Sequence, residues 1–244
     1  MARVPRIVVP GFPHHITQRG NRQAEVFFTP RDRSVYLALL RKYADRYGLS
    51  VYAYSLMTNH VHLVAVPSTE AALACALRDA HAAYASYVNR TQGVSGHLWQ
   101  GRFFSCVLDE AHLWAAVRYV ERNAARAGMV THAADYPWSS AQAHLARTRP
   151  HPVLSAAFPP PGVIADWAAW LGDEESAAIA YLRRQTHTGR PCGSDSFLTA
   201  LEELLQRRLR PLSRGPKPKR LIRGQTTYLP AAATAPDGGE VGDE

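Results

Sequence analysis

The chain has 244 residues, 46% hydrophobic and 20% charged, and its 28 Lys/Arg against 20 Asp/Glu leave a formal charge of +8. That length carries one ordinary domain plus an appendage, the composition is not that of a disordered chain, and the charge favours a polyanionic partner, nucleic acid before an anionic membrane. Three scattered cysteines without a CxxC pair argue against a disulfide framework and a cysteine zinc site, and no apolar run approaches the ~20 residues of a bilayer span. The first residues, MARVPRIVVPGFPHH, lack the long apolar core of a signal peptide, so the expectation is a cytoplasmic protein with no membrane partner. HHITQRG (14–20), bounded by Pro13 and Gly20, predicts a strand. Val35, Leu39, Leu40 and Tyr43 give helical spacing over 30–47, with Gly48 as its stop. Residues 51–57 and 60–66 are two β-prone runs around Thr58-Asn59, a predicted hairpin. An alanine-rich helix over 69–89, a strand over 103–108 and a helix over 110–127, capped by Asp109 and ended by Gly128, complete the pattern. The order is that of an α+β protein with a ferredoxin-like split βαβ antiparallel sheet and one additional helix.

Beyond residue 148 the character of the chain changes. Prolines crowd 149–172, which predicts a linker, and helices are expected over 173–187 and 195–209 around the TGRPCGS turn. Eight Lys/Arg against two Glu fall within 200–223, so 173–230 reads as a basic helical DNA-binding extension. Residues 231–244, acidic and glycine-rich, read as a disordered tail.

Two short patterns carry candidate chemistry. In Asn59-His60-Val61-His62, a strand points both imidazoles to one face, a natural metal half-site. A bare HxH is short and common, however, and fits two polar histidines on an exposed sheet face better. In Tyr119-Val120-Glu121-Arg122-Asn123, the phenol and the amide lie one helical turn apart, with Arg126 continuing that face. Taken alone, this pattern fits a tyrosine packed in an amphipathic helix. Together the two gain force, because the helix after the last strand can cross the sheet face opposite the other helices and set Tyr119 over His60 and His62.

NHVHLV, WQGRFFS, YVERNAARAG and DYPWSS, in that order, with GFPHHITQRGN before them, resemble the single-tyrosine HUH transposases, and most closely the REP-associated tyrosine transposases. The resemblance spans about residues 1–145, and more weakly 173–220. It implies His60 and His62 as metal-binding histidines, Asn123 as an amide ligand, Tyr119 as nucleophile, and Mg²⁺ or Mn²⁺ as the cation. The family has Asn-Pro where this chain has Asn123-Ala124. The implied reaction is cleavage and joining of single-stranded DNA through a 5′-phosphotyrosine, at DNA hairpins, by a monomer or homodimer. Gln18, Arg19, Arg22, Trp99, Gln100, Arg102, Arg126, Arg207, Arg208, Arg214, Lys217 and Lys219 are candidate DNA contacts. Core packing is an equal reading for Trp99. A catalytically silent nucleic-acid-binding module and a phosphoesterase acting through water are the competing classes.

Overall fold

The computed structural model describes residues 6–146, 151–172 and 176–210. Its first elements are β1 (His14–Arg19), α1 (Pro30–Tyr47), β2 (Leu49–Leu56), β3 (His60–Pro67), α2 (Ala72–Gln92), β4 (Phe104–Val107) and α3 (Glu110–Glu121). The sheet runs β2-β3-β1-β4 with every neighbour antiparallel, the ferredoxin-like arrangement expected from the element order. α1 shows why local sequence suffices for much of this. Thr29 and Asp32 form a reciprocal capping box, Pro30 opens the helix, and Gly48 closes it in the left-handed conformation at φ 69°. A side chain at Gly48 would also meet the Ser68 hydroxyl at 2.2 Å.

The period-two alternation of the strands divides the sheet into two faces. Ile16, Val61, Leu63, Tyr54 and Leu56 join Tyr36 and Leu40 of α1 and Leu73, Leu77 and Tyr84 of α2 in the larger core. Ala53, Val64 and Cys106, on the other face, pack with Ala116, Val117 and Val120 of α3. α3 thus covers the face that α1 and α2 leave open. Asp109 caps it by accepting from the His112 amide at 2.9 Å. The helix expected to run to Ala127 instead stops at Glu121. Arg122 relaxes to ψ −3°, and a short second helix, α4 (Asn123–Arg126), follows before Gly128 turns the chain at φ 70°. The break occurs without a proline.

The later segments are α5 (Ala141–Ala146), α6 (Trp167–Gly172), α7 (Ser176–Thr188) and α8 (Asp195–Leu204). The proline-rich stretch does not behave as a linker over 151–172. Leu154 bridges Val51 at the sheet edge, and Phe158 and Trp167 are buried beside α3. Nor do residues 176–210 form a separate extension, because they fold into the same unit as the sheet. α7 lies against β4, β1 and α3. Cys192 continues the β4 edge, donating to the Val107 carbonyl at 2.8 Å and accepting from the Asp109 amide at 3.2 Å. Leu201 and Leu209 close over Ile7, Val9 and Val107. α8 ends at Leu204, short of the expected 209, and Gln206 adopts φ 46°. Arg214, Lys217, Lys219 and the acidic tail lie outside the described residues. No helix among the described residues is long and apolar enough to cross a membrane.

Candidate active site

β1 and β3 are neighbours in a register that sets Thr17 opposite His62 and Arg19 opposite His60. Alternation therefore brings His15, Thr17, Arg19, His60 and His62 to one face, and α3 carries Tyr119 across it. The Tyr119 ring stands edge-on to His62 at 5.4 Å between centroids, and to His15 at 5.7 Å. His60 and His62 are 5.0 Å apart, and His15 stacks on His62 at 5.3 Å. Around them lies a cleft of about 550 Å³, to which α4 contributes Asn123 and Arg126, and α7 contributes Arg183, Thr186 and His187. Tyr119 is only 3% exposed, yet it lines this cleft.

The electrostatics follow from burial and from three guanidinium groups. Burial, and then the charges of Arg19, Arg183 and Arg126, lower the His60 pKa to about 4. Burial first, then His15, His60, Arg126 and Arg183, holds His62 well below the ordinary histidine range. Burial alone takes His15 to about 3. These rings are neutral at pH 7, the form in which imidazole binds metals. The Asn59 amide nitrogen donates to the Gln23 carbonyl at 2.9 Å, so its oxygen faces His60 Nδ1 at 2.6 Å. An amide oxygen can only accept, so His60 carries its proton on Nδ1 and keeps the Nε2 lone pair.

Asn123 is buried, and Arg126 Nη2 donates to its Oδ1 at 3.0 Å. Its Nδ2 has no hydrogen-bond partner. The Arg126 guanidinium also lies over the Tyr119 ring, 4.8 Å from its centroid. Among the described residues, no three His, Cys, Asp or Glu are gathered to hold a metal ion. The donor set that is present is two neutral imidazoles and a carboxamide. It fits a six-coordinate divalent cation whose other positions belong to water or phosphate oxygens.

Of the residues singled out in the sequence, Tyr119, His60, His62, Asn123, Arg19, Gln100 and Arg126 line the cleft. Others do not. Gln18 points to the opposite face, where alternation must put it, and donates to the Gly101 carbonyl at 2.9 Å. Trp99 packs against the larger core, its Nε1 donating to the His81 carbonyl at 3.0 Å and its ring 4.8 Å from His81. Core packing is the reading the structure supports for it. Arg22 and Arg102 are exposed away from the lining, and Arg207 and Arg208 follow α8. Sequence reasoning passed over His15, Phe104, Arg183, Thr186 and His187. The 15-17-19 alternation marks His15. The other four lacked a comparable signal, and three of them reach the cleft only through the docking of α7.

The model of the family described as "Transposase IS200 like" matches residues 9–123. That span includes His60, His62, Tyr119 and Asn123. A structure of a REP-associated tyrosine transposase bound to a REP hairpin aligns with a TM-score of 0.52 at 16% identity, covering 64% of this chain and 92% of that one. This is a likeness of fold. A candidate transposase from Deinococcus radiodurans R1 aligns over 50% of this chain and 97% of its own, at 17% identity and a TM-score of 0.35. Among curated proteins none matches. The span that forms the sheet and carries the histidine pair and the tyrosine, residues 9–123, belongs to the IS200-like transposase family.

Proposed function

We propose that this protein cleaves and rejoins single-stranded DNA through Tyr119, at hairpin-forming repeat elements. The observation that carries this reading is the edge-on approach of the Tyr119 ring to His62, 5.4 Å away, in a cleft lined by Arg19, Arg126 and Arg183. In the reaction, the Tyr119 oxygen loses its proton and bonds to a backbone phosphorus. The bond from phosphorus to the 3′ oxygen breaks, and that oxygen leaves as a hydroxyl after taking up a proton. The products are a 5′-phosphotyrosine and a free 3′-hydroxyl. A second 3′-hydroxyl can then attack the phosphotyrosine, which rejoins the strand and restores the phenol. His60, His62 and Asn123 would hold Mg²⁺ or Mn²⁺, which supplies Lewis-acid polarisation of a nonbridging phosphate oxygen.

The remaining work falls to the chain's own side chains. Arg19, Arg126 and Arg183 offset the phosphate charge. Phe104, 41% exposed and stacked on His187 at 4.9 Å, offers a surface for an unpaired base. The hairpin partner is suggested by the REP hairpin of the relative with the same fold. One observation favours a silent binding module instead: Arg126 covers the Tyr119 ring and occupies Asn123 Oδ1.

A labelled DNA hairpin with a single-stranded flank, incubated with Mn²⁺, separates the readings. Wild type is expected to give an adduct that survives denaturing electrophoresis, and Tyr119→Phe none. An equal adduct from Tyr119→Phe removes the nucleophile assignment. Cleavage without any adduct, lost on His60→Ala, points to hydrolysis through water.

A further inference from the structure

His62 is linked to α7 by a buried chain of polar atoms that the chemistry above does not use. Its Nδ1 lies 3.1 Å from His15 Nε2. His15 Nδ1 lies 2.7 Å from the Thr186 hydroxyl, which donates to the Leu182 carbonyl at 2.8 Å. His15, His62 and Thr186 are all buried. A neutral imidazole has one N–H and one lone pair, so the state of each ring dictates the state of the next. The Thr186 hydroxyl meets three partners, His15 Nδ1, the Cys106 thiol at 3.2 Å and the Leu182 carbonyl; the carbonyl alone can only accept, and it takes the hydroxyl proton. The Thr186 oxygen then accepts from His15 Nδ1–H, which leaves His15 Nε2 as an acceptor. His62 must donate from Nδ1, and its lone pair falls on Nε2. This is the tautomer that Asn59 imposes on His60 from the solvent side.

We infer that Thr186 and His15 are positioning residues that hold His62 in its Nδ1–H form and fixed orientation, so that α7 completes the cation site of the cleft. α7 lies beyond the span matched by the family, residues 9–123. The tautomer half of this inference stands on the hydrogen-bond chain alone. The consequence for cation binding rests on the proposed reading of the cleft. Groups that hold the second nitrogen of a ligating histidine typically contribute 10- to 100-fold in metal affinity.

The test uses the full-length protein labelled with ¹⁵N at histidine. Two-bond ¹⁵N–¹H spectra of the metal-free wild type should show the His62 proton on Nδ1; a proton on Nε2 overturns the inference. Thr186→Val keeps the shape of the side chain and removes the acceptor. It is expected to mix the His62 tautomers and to weaken Mn²⁺ binding by roughly 10-fold or more by calorimetry, while Thr186→Ser restores both. A His62 tautomer unchanged in Thr186→Val overturns it, as does failure of Thr186→Ser to restore the wild-type spectrum. Should wild type bind no Mn²⁺ while its His62 spectrum still responds to Thr186→Val, the relay is upheld and the cation reading of the cleft falls instead.

Discussion

Arg126 ties the Asn123 amide to the Tyr119 ring. Its guanidinium donates to Asn123 Oδ1 at 3.0 Å and covers the Tyr119 ring at 4.8 Å. A cation recruiting that amide oxygen competes with Arg126 for it, and a phosphate entering the cleft draws the guanidinium away. On the proposed reading, the residue would oppose metal binding in the empty cleft and support charge development once DNA is present. Arg126→Ala is expected to bind Mn²⁺ at least as tightly as wild type, by calorimetry, while strand cleavage falls by about 10-fold or more, as when one charge-stabilising group is removed. Weaker Mn²⁺ binding in Arg126→Ala would show that the guanidinium organises the site rather than competing for it. Arg183 makes the complementary case. It lines the same cleft from α7 and its charge bears on both His60 and His62, so Arg183→Ala should weaken binding of a single-stranded oligonucleotide without weakening Mn²⁺ binding. Its phosphate contact should appear as a loss of about one unit in the salt-dependence slope. An unchanged slope would place Arg183 outside the DNA path.

α3 is held at its C-terminal end by Glu121, which is fully buried two residues after the proposed nucleophile. One carboxylate oxygen accepts from the Ser140 hydroxyl at 2.6 Å and faces His144 Nδ1 at 2.5 Å; the other accepts from Trp167 Nε1 at 2.8 Å. This single side chain fastens α3 to Ser140 just ahead of α5, to His144 of α5 and to Trp167 of α6. Glu121→Ala leaves the His144 and Trp167 donors buried without their acceptor, a loss of about 1–3 kcal/mol for each. Thermal unfolding followed by circular dichroism should show a large drop in midpoint, and a drop of only a degree or two would mean that water replaces the carboxylate. The same helix shows where sequence becomes silent. Strand alternation, the Thr29-Pro30-Asp32 start and the Gly48 stop are local signals, so α1, the hairpin strands and the shared face of His60 and His62 were legible. The docking of α3 on the open sheet face was legible too, because only one layer remained for it. Its break at Arg122 carries no proline or glycine, and the Glu121 network joins residues 19 to 46 positions apart. Gln18 lies outside the cleft because its parity in β1 sends it to the opposite face, which its polarity and its place beside Arg19 do not reveal. Arg183, Thr186 and His187 were missed because the proline-rich stretch reads as a linker, whereas Phe158 and Trp167 bury it and bring α7 home.

The whole molecule carries an unusual load of neutral histidine. Burial lowers His14 to about 4, with backbone hydrogen bonds opposing, and takes His15 and His81 to about 3 by itself. His62 is held well below the ordinary value, 6.5, for the same leading reason. Each of these rings is protonated more readily in the unfolded chain than in the fold. As pH falls through 6.5, the unfolded state takes up protons first, so stability is lost; above 6.5 the rings are neutral in both states and their contribution is flat. Each ring adds a slope of up to about 1.4 kcal/mol per pH unit between 6.5 and its folded value. Lowered carboxylates such as Asp109, where the His112 and Ser194 contacts outweigh burial, act in a different window. Their stabilisation is present above 3.8 and is lost as pH falls below it, so the two classes separate along the pH axis. Urea denaturation of the metal-free protein should therefore show the free energy constant from pH 8 to 7 and falling steeply from 6.5 to 4.5, with more than one proton taken up on unfolding. His81→Gln, which can still accept from the Tyr36 hydroxyl (3.1 Å from His81 Nε2), should reduce that slope by one proton. A profile flat down to pH 4.5 would mean that these rings are hydrated in the native state, and with that the dry, neutral wall of the cleft behind His62 would be lost.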